Sequence, residues 1–318
     1  MKAFLRSREA VLILLLIALL LMAWLMEPRF VTIRSQMLLA SHLWELAIVA
    51  IPMLLIIMIG GIDLSIGAMV ALCGVVLGLL FERGISPFIG ALVAIAAGGF
   101  LGMSNGWFIA KLRVHPLIVT LATMAAFRGI AEGISLARPI SGYPDTFQTL
   151  SQGKMVGIPY PVFVFALIVL SAWFVLAKAR FGRWIVAIGT EENVARFSGI
   201  PVARVKMILY TLCGAICGIA AVLLVARNNT AKADLGMGLE LEAITAVVLG
   251  GASIDGGKGK VLGVALGLIL IHETRQFVSW HWKQNELNLI VLGALLIVTL
   301  LVERVLSQTR AFKMPTTA

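Results

Sequence analysis

Val11–Met26 reads VLILLLIALLLMAWLM, sixteen residues without a charge, lying behind Lys2, Arg6 and Arg8 and ahead of Glu27-Pro28-Arg29. A run of this length and greasiness approaches the roughly 20 apolar residues that cross a bilayer as a helix. Its basic flank resembles a signal peptide, but no small-x-small cleavage site follows, so it reads as an uncleaved first span. Nine further apolar runs follow near 44–59, 65–81, 88–110, 117–136, 161–177, 207–226, 243–253, 261–278 and 287–302. Apolar residues make up 60% of the 318 and charged residues 13%, against about a quarter charged in a soluble domain, and the mean hydropathy is +1.00. The expected fold is therefore all-α: a polytopic membrane protein of about ten transmembrane helices, one transmembrane domain over 1–318. A disordered chain, a coiled coil, a disulfide scaffold and a soluble catalytic domain are excluded together. Cys73, Cys213 and Cys217 have no His or carboxylate at ligand spacing and read as small packing residues.

The net charge of +10 raises the question of nucleic acid, and the placement of the charge answers it. With the N-terminus in the cytoplasm, sixteen of the 26 Lys and Arg fall in cytoplasmic segments, eight on the opposite side and two, Arg128 and Arg275, within spans. That bias sets both termini cytoplasmic and makes the charge a topology signal, with no nucleic-acid partner expected. Trp24, Trp44, Trp280 and Trp282 at outer ends, and Trp107 and Trp173 near inner ends, lie where an aromatic belt belongs.

Two spans are interrupted. Gly60-Gly61 breaks the chain after Ile59, and Gly250-Gly251 and Gly256-Gly257 follow the short run 243–253; such breaks belong inside protein or along a cavity, because lipid satisfies no backbone group. Two loops are long. The outer one, 137–160, is rich in Pro, Gly and Ser and suits a lid or docking surface. The inner one, 178–206, is the most charged stretch of the chain. Within it Val186–Ser198 (VAIGTEENVARFS) has short amphipathic helical character, stopped by Gly199-Ile200-Pro201. It reads either as a linker carrying positive-inside charge or as a helix that docks a partner.

Enzyme constellations fail residue by residue. Gly251–Lys258 (GASIDGGK) misplaces the opening glycine of a phosphate loop, and Gly259 stands where Ser or Thr must hold magnesium. His272-Glu273-Thr274-Arg275-Gln276 offers Gln276 where a zinc helix needs its second histidine. No cofactor, catalytic or metal site is expected. What remains is a thin set of polar groups inside spans, where charge is costly. Arg128 and Glu132, four apart on one helical face, either pair with each other or face a wet cavity. Asp63, just after the double glycine, and Glu242, at the entry to the short run, read as helix caps or hinges, or as groups on a path.

In order along the chain, Gly60-Gly61-Ile62-Asp63-Leu64-Ser65-Ile66-Gly67, Asn105-Gly106, His115–Leu121 (HPLIVTL), Arg128-Gly129, Phe181-Gly182-Arg183, Ala187-Ile188-Gly189, Asn193 with Ala195-Arg196, Ser198-Gly199-Ile200 and Glu240–Gly251 (ELEAITAVVLGG) with Gly256–Gly259 carry a family pattern. It resembles the membrane permeases of bacterial ATP-binding-cassette (ABC) importers of the ribose, xylose, arabinose, rhamnose and autoinducer-2 type, over roughly 40–302. The chain departs from that pattern at His115, Ala122 and Glu191-Glu192. The resemblance implies a multi-pass permease of the bacterial inner membrane, without ATPase activity of its own, for a sugar or sugar-like solute. Its implied partners are cytoplasmic ABC ATPase subunits, a periplasmic sugar-binding protein and a second permease copy or homologue. It implies ATPase coupling through 178–206, with Phe181, Gly182, Arg183, Gly189, Asn193, Ala195, Arg196, Ser198, Gly199 and Ile200. The polar span residues then expected on the translocation path are Asp63, Ser65, Asn105, Thr120, Thr123, Arg128, Glu132, Glu242 and Thr245. A permease of the branched-chain amino-acid type is the nearest alternative; an intramembrane enzyme and a passive channel are the distant ones.

Overall fold

The computed structural model describes residues 8–282 and, beyond them, 287, 288, 290, 291, 293–295 and 297. Helix α1 (Arg8–Met26) leads to α2 (Ile33–Leu39), which turns through a single 3₁₀ turn, Ala40–His42, into α3 (Trp44–Met58). Then come α4 (Ile66–Glu82), α5 (Pro87–Ala110) and α6 (Pro116–Ser135), followed by an outer excursion of β1 (Ile140–Ser141), α7 (Asp145–Gln152), β2 (Lys154–Met155) and β3 (Ile158–Pro159). The chain continues with α8 (Tyr160–Lys178), α9 (Arg180–Thr190), α10 (Glu192–Phe197), α11 (Val202–Asn228), β4 (Thr230–Ala231), α12 (Leu239–Leu249) and α13 (Val261–Trp282).

Nine of the ten apolar runs are helices, and the tenth, 287–302, lies for the most part outside the described residues. Not all of these nine described helices are full spans. Among the described residues six helices (α1, α5, α6, α8, α11 and α13) are long and apolar enough to cross, and α2 with α3, bent by 53°, makes a seventh. Helices α4 and α12, with 17 and 11 residues, fall short because each starts inside the bundle, at the end of a stretch of non-helical chain.

Helix α3 is buried almost throughout and lies at the centre with α4, α11 and α12, whereas α1, α6 and α8 expose broad apolar faces such as Leu167, Leu170, Trp173 and Phe174. Between chain and lipid there is no hydrophobic gain in hiding such faces, so helices associate where backbones approach closely. The closest approach joins α5 to α11. Gly98 and Gly102 face Gly214 and Gly218, and a Cβ on Gly214 would meet Gly102 N at 2.8 Å and its Cα at 2.9 Å. Gly214→Val is expected to lower the thermal midpoint of the detergent-solubilised protein by forcing these helices apart, at a cost of about 1–3 kcal/mol. Gly99→Ala, whose Cβ meets Ala215 at an ordinary 3.8 Å, leaves the midpoint unchanged.

Candidate functional site: two broken spans and their cytoplasmic joint

Two segments of non-helical chain, built largely of turns, enter the bundle from opposite sides. From the inner end of α3, residues 59–65 climb to the start of α4. From the outer side, residues 230–238 descend along α4: Gly78 faces Ala231, Gly74 faces Leu235 and Gly67 faces Gly236, a drop of about 16 Å at the helical rise. The N-termini of α4 and α12 therefore meet inside the bundle. Each carries acid, Asp63 before α4 and Glu240 with Glu242 in the first turn of α12, where the helix dipole favours negative charge.

Asp63, Ser65, Asn105 and Thr120 are all fully buried. Asp63 Oδ1 accepts from Ser65 N (2.9 Å) and Ser65 Oγ (2.6 Å), and Ser65 Oγ accepts from Asn105 Nδ2 at 2.8 Å. Thr120 Oγ1 donates to Ile62 O at 3.2 Å. The four thus staple the climbing segment to α5 and α6 and line no open path in this conformation. Among the described residues Asp63 Oδ2, Asn105 Oδ1 and the nearby Tyr210 Oη have no hydrogen-bond partner, and a partly satisfied buried network is costly to hold.

Arg128 serves the descending segment. It donates to the carbonyls of Ala233 and, at 3.2 Å, Leu235, which is what non-helical backbone at membrane depth requires. It does not pair with Glu132, which stays exposed near the outer end of α6. Thr123 and Thr245 hydrogen-bond back into their own helices, at Val119 O (3.0 Å) and Leu241 O (2.6 Å). Glu242 is almost wholly buried and accepts from Arg275 Nη1 through both oxygens, at 2.6 and 2.8 Å. Sequence reasoning placed Arg275 within a span and left it out of the path. The signal was there, since a lone span cation needs a partner and only the fold names it.

The inner loop is not one amphipathic helix. Glu191 is extended and caps α10 by accepting from Asn193 N, which breaks the run into α9 and α10. The far end is a Schellman turn, with Gly199 at φ +79°, Gly199 N donating to Arg196 O and Ile200 N to Ala195 O. Glu192 accepts from Arg196 (2.8 Å) and Lys206 (2.6 Å), tying α10 to α11; burial pushes its carboxyl up, but the two cations outweigh that and hold it below the usual range. Of the residues expected on the coupling surface, Arg183, Asn193, Arg196, Ser198 and Gly199 are exposed, Phe181 and Ile200 are half-buried, and Gly182 and Ala195 are buried. Sequence reasoning missed the most prominent surface groups, Phe197 at 91% exposure and Val194 at 61%.

Gly189 is the joint between this loop and the broken spans. A Cβ there would fall inside Met58 O, and Met58 O itself accepts from Gly257 N at 2.9 Å. A Cβ on Gly256 would meet Gly189 O at 2.7 Å and Gly60 N at 3.1 Å. The inner end of α3, the turn at 254–260 and the end of α9 thus touch backbone to backbone, with no side chain able to come between them.

Residues 37–300 match the family described as the branched-chain amino acid transport system / permease component. The chain belongs to this permease family. It is 39% identical over 259 residues to the autoinducer 2 import system permease protein LsrD of Yersinia enterocolitica serotype O:8, covering 80% of this chain and 78% of the relative. It is 35% identical over 296 residues to the proteins of the same name from Yersinia pseudotuberculosis serotype O:3 and Yersinia pestis strain Pestoides F, covering 91% of this chain and 89% of each. No solved structure matches. The permease is thus a multi-pass inner-membrane protein of the ABC import type.

Within the permease, Arg128→Met is expected to leave the carbonyls of Ala233 and Leu235 unsatisfied, at about 1–3 kcal/mol each. The measurable result is a lower thermal midpoint and faster modification of a cysteine placed at Asp234 by a membrane-impermeant thiol reagent. Glu132→Gln should change neither.

Proposed function

We propose that this permease carries a small neutral polyhydroxylated solute, of the autoinducer-2 and sugar class, from a periplasmic binding protein to the cytoplasm, paired with a second permease copy or homologue. Cytoplasmic ABC ATPase subunits dock on α9 and α10. The observation that carries the reading is the Gly189 joint, because a docking helix without a rigid connection to the spans transmits nothing. ATPase closure presses on Phe197 and Val194; α9 passes the displacement through Gly189 to Met58 and to 254–260. Those points carry the inner ends of the two broken spans, so the segments that shift are 59–65 and α12. The under-bonded cluster of Asp63, Asn105 and Tyr210 suits a part that changes partners. Asp63, Ser65, Asn105 and Thr120 border the path in the opened state, and Glu242 and Thr245 border it from α12. On the outer side the hairpin of β2 and β3, with Val156 95% exposed, suits docking of the binding protein.

The substrate class rests on the relatives over four-fifths or more of the chain, whereas the family description names branched-chain amino acids. Uptake of radiolabelled autoinducer 2, pentoses, deoxyhexoses and leucine by the complex in proteoliposomes separates the two. ATP-dependent uptake of the hydroxylated solutes is expected; flux through the chain without an ATPase would contradict the reading and favour a channel.

Phe197→Asp should weaken ATPase co-purification by about 30-fold in dissociation constant, the effect of losing a central apolar anchor worth about 2 kcal/mol. Gly189→Ala should leave co-purification intact and abolish uptake while ATP hydrolysis continues. Loss of ATPase binding in Gly189→Ala would place the joint's role in docking instead.

A further inference from the structure

Arg275 sits seven residues before the outer end of α13, about 10 Å inside it by helical rise. Ten of the 22 residues of α13 are buried, among them His272 and Glu273, yet the Arg275 side chain is 45% exposed. A guanidinium at that depth does not face hydrocarbon, so this strip of α13 faces water, solute or another protein. His42, on the 3₁₀ turn near the outer end of α3, lies within electrostatic reach of both Arg275 and Arg227, which places the strip toward the outer mouth of the bundle.

The geometry of the pair narrows the choice. Glu242, only 5% exposed, takes Nη1 of Arg275 on both carboxylate oxygens, so the carboxylate is spent on one nitrogen. Nε and Nη2 meet no acceptor among the described residues and keep three donors on the open side. Glu242 stands in the first turn of α12, where the non-helical descent ends, a kind of helix start that forms solute sites in other membrane transporters. Beside it Met237 and Leu241 are exposed, at 79% and 42%. Three free donors match a solute that offers several hydroxyl or carbonyl oxygens. The pair is neutral overall, so it attracts neither a cation nor an anion strongly.

We propose that Arg275, held in place by Glu242, is the group that contacts the transported solute inside the bundle, donating through Nε and Nη2 to the oxygens of a neutral polyhydroxylated molecule. The proposal rests on the permease reading above and adds a solute-contacting residue and a positioning residue to it.

The test uses the full import complex in proteoliposomes, with radiolabelled autoinducer 2 presented on saturating loaded binding protein. In Arg275→Gln the maximal uptake rate should fall about tenfold or more, the loss of a charge-assisted hydrogen bond, while the concentration of loaded binding protein giving half-maximal rate stays unchanged. Arg275→Lys should recover part of the rate. The double variant Arg275→Met with Glu242→Leu leaves no unpaired charge, so it inserts and assembles even where a single variant fails; its uptake should remain low. Wild-type uptake by the double variant would overturn the proposal and make the pair a structural lock only. If the wild-type complex takes up pentoses but no autoinducer 2, the same comparison with the pentose decides the role of Arg275; if it takes up leucine alone, the substrate reading fails and overturns the proposal with it. If it carries no solute at all, the permease reading falls and the proposal falls with it.

Discussion

Non-helical backbone inside a membrane bundle must find its hydrogen bonds from protein, because lipid offers none. That constraint organises this permease. Residues 59–65 and 230–238 leave helical geometry inside the bundle, and each is held by polar groups from other helices. Thr120, Asn105 and the local Asp63–Ser65 turn hold the first; Arg128 and the short ladder of β1 with β4 hold the second. In exchange for that demand on partners, the bundle gains two helix N-termini in its interior and two segments that move without breaking a full-length helix. Long spans such as α5 and α11, locked glycine against glycine, form the fixed frame.

The same constraint explains where force enters. A packed core does not transmit a small push through side chains that can change rotamer, and at Gly189 there are none. The carbonyl of Met58, the amide of Gly257 and the backbone of Gly189 are in direct contact, so a displacement of α9 reaches both broken spans with little slack. Beyond the joint the first polar groups encountered are the buried ones around Asp63, and beyond them the start of α12 with Glu242 and Arg275. The proposed docking surface, the Gly189 joint, the staple at Asp63 and the proposed solute contact follow one another from the cytoplasmic side into the bundle.

Much of this was legible in the sequence. Charge-free runs such as Val11–Met26, the two-to-one bias of Lys and Arg and the Gly-Gly interruptions establish an all-helical membrane chain with broken spans, and nine of the ten runs are helices where expected. The count of full spans was not legible, because hydropathy does not distinguish a complete crossing from a helix that starts halfway, as α4 and α12 do. Polar residues in spans were legible as a set but not by role. Arg128 and Glu132 share a helical face, yet the carbonyls that claim Arg128 are more than a hundred residues away, at 233 and 235. Arg275 was passed over because only the fold brings Glu242 against it. The inner loop was legible by charge and periodicity, and so was its stop at 198–201, while its break at Glu191 depends on a cap that the amphipathic pattern hides.

The central claim is that α9, the end of α3 and the 254–260 turn move as one body when the ATPase closes. Pulsed electron-spin distance measurements on the assembled complex test it most directly, with spin labels on cysteines at Thr190 and Lys258, flanking the joint, and in a second sample at Thr190 and Arg113, across to the inner end of α6. The account predicts that ATP binding leaves the first distance unchanged and shifts the second. A change in the first distance, with the second held constant, would contradict it.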